Sequence, residues 1–125
     1  MNYQEAKAFI QKVYDVWTYG TIEQLAEIYA SDIKANYFGH TNLTMADIEN
    51  RFSYMRKHHK NYQFTLADLL VDGKKMAMRS HYSADTDQNE KVSSETVVIL
   101  HLNDDGKVQK LWSMTNVPVN FLERA

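Results

Sequence analysis

Ala6, Phe9, Ile10, Val13, Tyr14 and Trp17 recur at steps of three and four residues, which puts them on one face of a helix over residues 4–18. Asn2 and Glu5 have the spacing of a capping box at its start, and Gly20 ends it. Thr21 and Gln24 repeat the capping pattern for a shorter helix in which Ile22, Leu25, Ile28 and Tyr29 keep a helical step, predicted to stop near Ala30. A short strand over residues 33–38, from Ile33 to Phe38, follows and Gly39 breaks it. Thr44 with Asp47 then caps a third helix that turns Met45, Ile48, Phe52 and Met55 inward and runs into the basic stretch at 56–60.

From Tyr62 the period changes to two. Tyr62, Phe64 and Leu66 alternate with polar neighbours, and the apolar phase then slips to Leu69 and Val71 across Ala67 and Asp68, the mark of a β-bulge. Asp72-Gly73 is a hairpin signal, and residues 76–84 resume as a strand that ends in a polar hairpin tip at 85–91. A strand over 92–102, a turn at Asp104-Asp105-Gly106 and a last strand over 108–117 complete the chain, with Pro118 and a short tail beyond. Helices come first and hairpin-linked strands after them. This order predicts an α+β fold, three N-terminal helices on an antiparallel sheet, over one domain spanning residues 1–125.

Composition narrows the function classes. The chain has 125 residues, no cysteine and a net charge of -2, so thiol chemistry, disulfides and thiolate metal sites are excluded. Its basic residues are scattered apart from Arg56, Lys57 and Lys60, too short a cluster to follow a phosphate backbone, and no nucleic-acid partner is expected. Charges at Glu5, Lys7, Lys12 and Asp15 make the first 20 residues an amphipathic helix and not a signal-peptide core. No uncharged run reaches the ~20 residues of a membrane span, so the expected location is the cytoplasm with no membrane partner.

The motifs Trp17-Thr18-Tyr19-Gly20, Ile28-Tyr29-Ala30-Ser31-Asp32 and Asp105-Gly106-Lys107-Val108 leading to Trp112 resemble the nuclear transport factor 2-like superfamily, in particular its SnoaL-like branch. The resemblance implies a strongly curved sheet wrapping the first helix as a cone, a pocket inside it, and a homodimer through the outer sheet face. That superfamily includes ketosteroid isomerase, polyketide cyclases, scytalone dehydratase and binding-only domains, so fold does not settle function. With Gly20 and Gly106 as anchors, the isomerase's two aspartates correspond to Tyr37 and Val98, and its tyrosine donor to Val13, beside Tyr14. The cyclases' acidic residue corresponds to Asn116, which exchanges no proton at neutral pH.

Under the same alignment Arg79 and His81 look into the pocket, and they are the catalytic candidates. The histidine would move a proton and the arginine steady an oxyanion. The other strand phase, with Met76, Met78 and Tyr82 inward, would leave both outside. Tyr14, Trp17, Tyr37, Phe52 and Trp112 are the candidate pocket residues, with sheet packing at a dimer contact as the other role for Trp112. Asp68 and Glu95 are the carboxylates expected nearest the sheet interior. The five histidines, at 40, 58, 59, 81 and 101, show no ligand spacing, so neither metal nor cofactor is expected.

Two functions stay open. One is a cofactor-independent isomerase, cyclase or dehydratase acting on a small hydrophobic or carbonyl-bearing molecule. The other is a non-catalytic domain of the same fold that binds a ligand or partner. Val97, Ile99, Trp112 and Met114 are the apolar residues expected on the outer face in a homodimer.

Overall fold

The computed structural model describes residues 1–37 and 39–116. Helix α1 spans Tyr3–Tyr19, and Asn2 and Glu5 form the predicted capping box, Glu5 N donating to Asn2 Oδ1 at 2.8 Å. Gly20 closes the helix, its N–H donating to Val16 O at 2.9 Å. Its φ of -80° needs no glycine, but a Cβ there would lie 2.8 Å from Val16 O and 2.6 Å from Gln24 Oε1. The residue is small because Gln24 folds over it to bond the Thr21 N–H.

The second predicted helix is a single 3-10 segment, Ile22–Glu27, and strand β1 begins at once, at Tyr29–Tyr37. Ile28 and Tyr29 therefore enter the core as a helix end and a strand start, which a helical reading of their spacing cannot distinguish. A short β2 follows at His40–Leu43, and α2 spans Met45–His58 with the predicted cap from Thr44 and Asp47. The sheet continues with β3 at His59–Asp72, β4 at Lys75–Thr86, β5 at Lys91–Leu102 and β6 at Val108–Thr115. The predicted strand end at Phe38, the last-strand end at Val117 and the tail from Pro118 lie outside the described residues.

The six strands run in the order β2-β1-β6-β5-β4-β3. The sheet is mixed, a correction to the antiparallel expectation, because β1 and β6 pair in parallel, with Ala35 opposite Leu111 and Tyr37 opposite Ser113. Hairpin logic applies only to strands close in sequence, whereas all of residues 38–107 separate β1 from β6, ample for a parallel return. The β-bulge falls where expected, with the β3 register shifting between Leu66 and Asp68. The 85–91 segment is a tight hairpin: Asp85 pairs with Lys91 in register, and Thr86 Oγ1 accepts from the Gln88 and Glu90 N–H groups.

Both helices pack on one sheet face, α1 against β3 and α2 against β1 and β3. The most enclosed side chains between the layers are Ile10, Leu25, Ile28, Ile33, Ile48, Met76 and Val108. Arg56 ties the helices together: its guanidinium donates to the Val16 and Trp17 carbonyls, each at 3.3 Å, and stacks 4.4 Å above Phe52. The Trp17 carbonyl lies in the last turn of α1, where carbonyls run out of intrahelical donors, and the Val16 carbonyl shares its acceptance between Arg56 and the Gly20 N–H. Among the described residues no helix is long and apolar enough to cross a membrane.

Candidate functional site

Between the helices and the inner sheet face lies a cavity of about 190 Å³. Helix α1 contributes Val13, Tyr14 and Trp17 from its apolar stripe. Helix α2 contributes Arg51 and Met55, which lie four apart and so share a face. In β4 and β5 the inward positions change from apolar to hydroxyl along the strand: Met76, Met78, Ser80 and Tyr82 in one, Leu100, Val98, Thr96 and Ser94 in the other. Strand β6 repeats the change with Leu111, Ser113 and Thr115.

The register assembles these hydroxyls. Ser80 stands opposite Thr96, and Thr96 opposite Thr115, so three adjacent strands present one cross-strand row. Ser113 sits one row away, beside Tyr37 on the parallel side. Tyr14 reaches the row from the helix, its Oη 2.7 Å from Ser80 Oγ, while its ring stacks on Phe64 at 5.3 Å. Trp17 Nε1 donates to Tyr29 Oη at 2.9 Å. Among the described residues no buried side-chain polar atom lacks a partner.

Burial raises every cavity tyrosine. For Tyr14 the Ser80 bond offsets part of it. Tyr29 is pushed up to about 12 despite the Trp17 bond. Tyr37 is raised by burial and by Tyr29, and Tyr82 by burial, with Arg51 opposing in both cases. All four are therefore neutral hydrogen-bond donors at neutral pH. Among the described lining residues Arg51 is the single charged side chain, and none of them carries a carboxylate or an imidazole.

The catalytic expectation for Arg79 and His81 is corrected by this geometry: both occupy the outer sheet face. Arg79 is bound to Asp68 at 2.8 Å and Glu95 at 3.1 Å, and His81 Nε2 lies 2.7 Å from Ser93 Oγ. Asp68 and Glu95, expected near the interior, are exposed with it. The inner phase of β4 belongs to Met76, Met78, Ser80 and Tyr82: the first three are buried, Ser80 meets Tyr14 of α1, and Tyr82 lines the cavity. Of the pocket candidates, Tyr14, Trp17 and Tyr37 line the cavity. Phe52 is buried behind it against Trp17, with ring centres 5.4 Å apart. Trp112 is on the outer face, 38% exposed and edge-on to His101.

Tyr37 and Val98, the positions the resemblance sets against the isomerase aspartates, both line the cavity, while Asn116 is exposed and accepts the Glu95 N–H at 2.9 Å. The residues missed from sequence are Tyr29, Arg51 and the hydroxyl row, while Tyr82 takes the inward place that the other strand phase gave it. Their signal was present: Ser80, Thr96 and Ser113 keep the same alternation as Met78, Val98 and Leu111 and so belong to the buried face. Among the described residues no three histidine or acidic side chains are grouped to hold a metal ion.

No curated protein matches the chain. Solved structures share its fold, and three of them show the range. TsrD from Streptomyces laurentii superposes with a TM-score of 0.79 at 13% identity, over 93% of this chain and 91% of that one. A SnoaL-like polyketide cyclase from Agrobacterium tumefaciens gives 0.74 at 11%, over 86% and 88%. An NTF2-like protein of unknown function from Exiguobacterium sp. 255-15 gives 0.75 at 13%, over 88% and 99%. At these identities the likeness is one of fold. The sequence profile of the SnoaL-like domain matches residues 10–111, most of the chain, and the protein belongs to that family.

Proposed function

We propose that the cavity binds a small, mostly apolar molecule carrying a carbonyl, enol or phenol oxygen, and that the protein acts on it as a cofactor-independent isomerase, cyclase or dehydratase. The observation that carries this reading is the donor pattern: neutral tyrosine hydroxyls, a cross-strand hydroxyl row and the Arg51 cation, set in aromatic and aliphatic walls. Such a lining suits an oxygen that gains negative charge, because fixed donors are strengthened where water is excluded. The polyketide cyclase among the fold neighbours supports the same substrate class. Arg51 and the Tyr14–Ser80 pair take the oxyanion role first assigned to Arg79.

A second reading, a non-catalytic binding domain, is favoured by the absence of carboxylate and imidazole from the described lining. One experiment separates them. Addition of 2-tetralone in D2O should shift the amide resonances of Ser80, Thr96 and Ser113 and speed deuterium entry next to the ketone. Shifts without exchange favour the binding domain, and shifts at neither row nor helix remove the cavity reading altogether.

A homodimer through the outer sheet face belongs to this proposal. Val97 faces Met114 and Ile99 faces Trp112 across β5 and β6, and these four side chains are 53%, 61%, 43% and 38% exposed in that order. Such a patch favours burial against a second copy. A monomeric mass by light scattering would remove it.

A further inference from the structure

Tyr82 both lines the cavity and reaches beyond it. Its hydroxyl lies 2.5 Å from Nδ1 of His59, a residue that does not line the cavity and is partly open to solvent. His59 is the first residue of β3, directly after α2, and faces Thr86 across the β3–β4 pair. The rings of His59, Tyr82, Tyr62 and Phe64 form a continuous chain with centres 5.1 to 6.3 Å apart.

We infer that Tyr82 and His59 form a two-residue proton relay through the cavity wall. The inference rests on the small-molecule reading above. A bound enol or phenol passes its O–H proton to Tyr82 Oη as the proton already on Tyr82 moves to His59 Nδ1. The ligand is left as an enolate or phenolate and His59 as an imidazolium, so charge and protons balance. The reverse order returns the proton to the ligand. Tyr82 touches the ligand and is the catalytic residue of the pair; His59 acts through it as a positioning and proton-holding residue.

The surroundings fit this division. Around His59 stand Arg51 and Tyr54 from α2, the adjoining His58, and Asp87 from the β4–β5 turn, whose Oδ2 is 2.8 Å from His58 Nδ1. Burial first, and then the neighbouring Arg51 and His58, lower His59 below its ordinary value, with Asp87 opposing. His59 is then neutral near pH 7 and free to accept a proton. Burial raises Tyr82, so its hydroxyl carries a proton between transfers and no standing tyrosinate is needed. The relay also supplies what the described lining lacks, an imidazole coupled to the cavity although it is not part of its wall.

The relay requires that neutral His59 keep its proton on Nε2, leaving Nδ1 to accept from Tyr82. The test uses the full chain, 15N ring shifts of His59 from pH 5 to 9, and 2-naphthol as the phenol probe. In the wild type without probe, Nδ1 should show the shift of an unprotonated, hydrogen-bonded acceptor, and in Tyr82→Phe that signature should be lost. With 2-naphthol bound, ionisation of the probe, read by its absorbance, should raise the imidazolium fraction of His59, and the coupling should vanish in Tyr82→Phe and in His59→Gln. Binding of the un-ionised probe should weaken by no more than about tenfold in either variant, which separates proton transfer from simple contact. A proton on Nδ1 in the neutral wild type, or bound 2-naphthol that ionises with His59 unchanged, would overturn the relay. Failure of the probe to disturb any cavity resonance would overturn the cavity reading, and the ligand end of the relay with it, whatever the His59 tautomer.

Discussion

Replacing Tyr14 with phenylalanine removes one oxygen from the contact on which the helix, the sheet and the cavity converge. The ring stays stacked on Phe64, so the perturbation is confined to the 2.7 Å bond to Ser80. Both partners are buried, at 7% and 6% exposure, so the surviving Ser80 hydroxyl must either go unpaired or draw on water in the cavity. The loss of a buried bond with one partner left behind is worth about 1–2 kcal/mol, or a fall in Tm of roughly 5 °C for a chain of this size. Ser80→Ala should cost about the same for the same reason. Removing both partners leaves no orphan, so the double variant should be less destabilised than the sum of the singles, with a coupling of about 1 kcal/mol. Urea unfolding of the four proteins closes the cycle. A coupling below about 0.3 kcal/mol would refute the idea that the Tyr14–Ser80 bond links α1 to the hydroxyl row.

Other outcomes follow from the same geometry. Gly20→Ala should lower the urea midpoint by the equivalent of about 1–3 kcal/mol, since its Cβ would press on Val16 O and Val16 Cα at 2.8 and 2.9 Å; an unchanged midpoint would mean that the α1 end relaxes freely. His81→Ala and Arg79→Ala should leave 2-tetralone binding in the cavity unaffected, as both residues are on the other sheet face, and a loss of affinity in either would contradict that placement. The His59 contribution to stability has a definite sign. Its folded value lies below the unfolded one of about 6.5, so between the two the unfolded chain binds more protons and stability rises with pH. That contribution is present above about pH 6.5 and is lost as pH falls through the folded value; His59→Gln should flatten this part of the curve in urea titrations between pH 5 and 7.5.

Much of the chain was legible as sequence because its signals are local. The capping boxes at Asn2, Thr21 and Thr44, the turns after Asp72 and Asp104, and the phase slip at Ala67 each depend on a few neighbouring residues, and all are present in the fold. That Val97 and Ile99 share one face of β5, and Trp112 and Met114 one face of β6, follows from alternation alone, whereas their exposure is set by which face the helices cover. The error over Arg79 and His81 has a physical cause. In β4 both alternations contain polar residues, Arg79 and His81 in one and Ser80 and Tyr82 in the other, so period-two patterning does not choose between them. The choice is made by α1, whose Tyr14 meets Ser80 and so draws the hydroxyl-bearing phase inward. Likewise the parallel β1–β6 pair, the row formed by Ser80, Thr96 and Thr115, and the meeting of His59 with Tyr82 join residues from distant parts of the chain. Short-range periodicity and capping specify α1, α2, the turns and the class of fold. Which face each strand buries, and which hydroxyls share a cavity, depend on register and on helix packing between segments far apart in the chain, and so are settled by tertiary contacts.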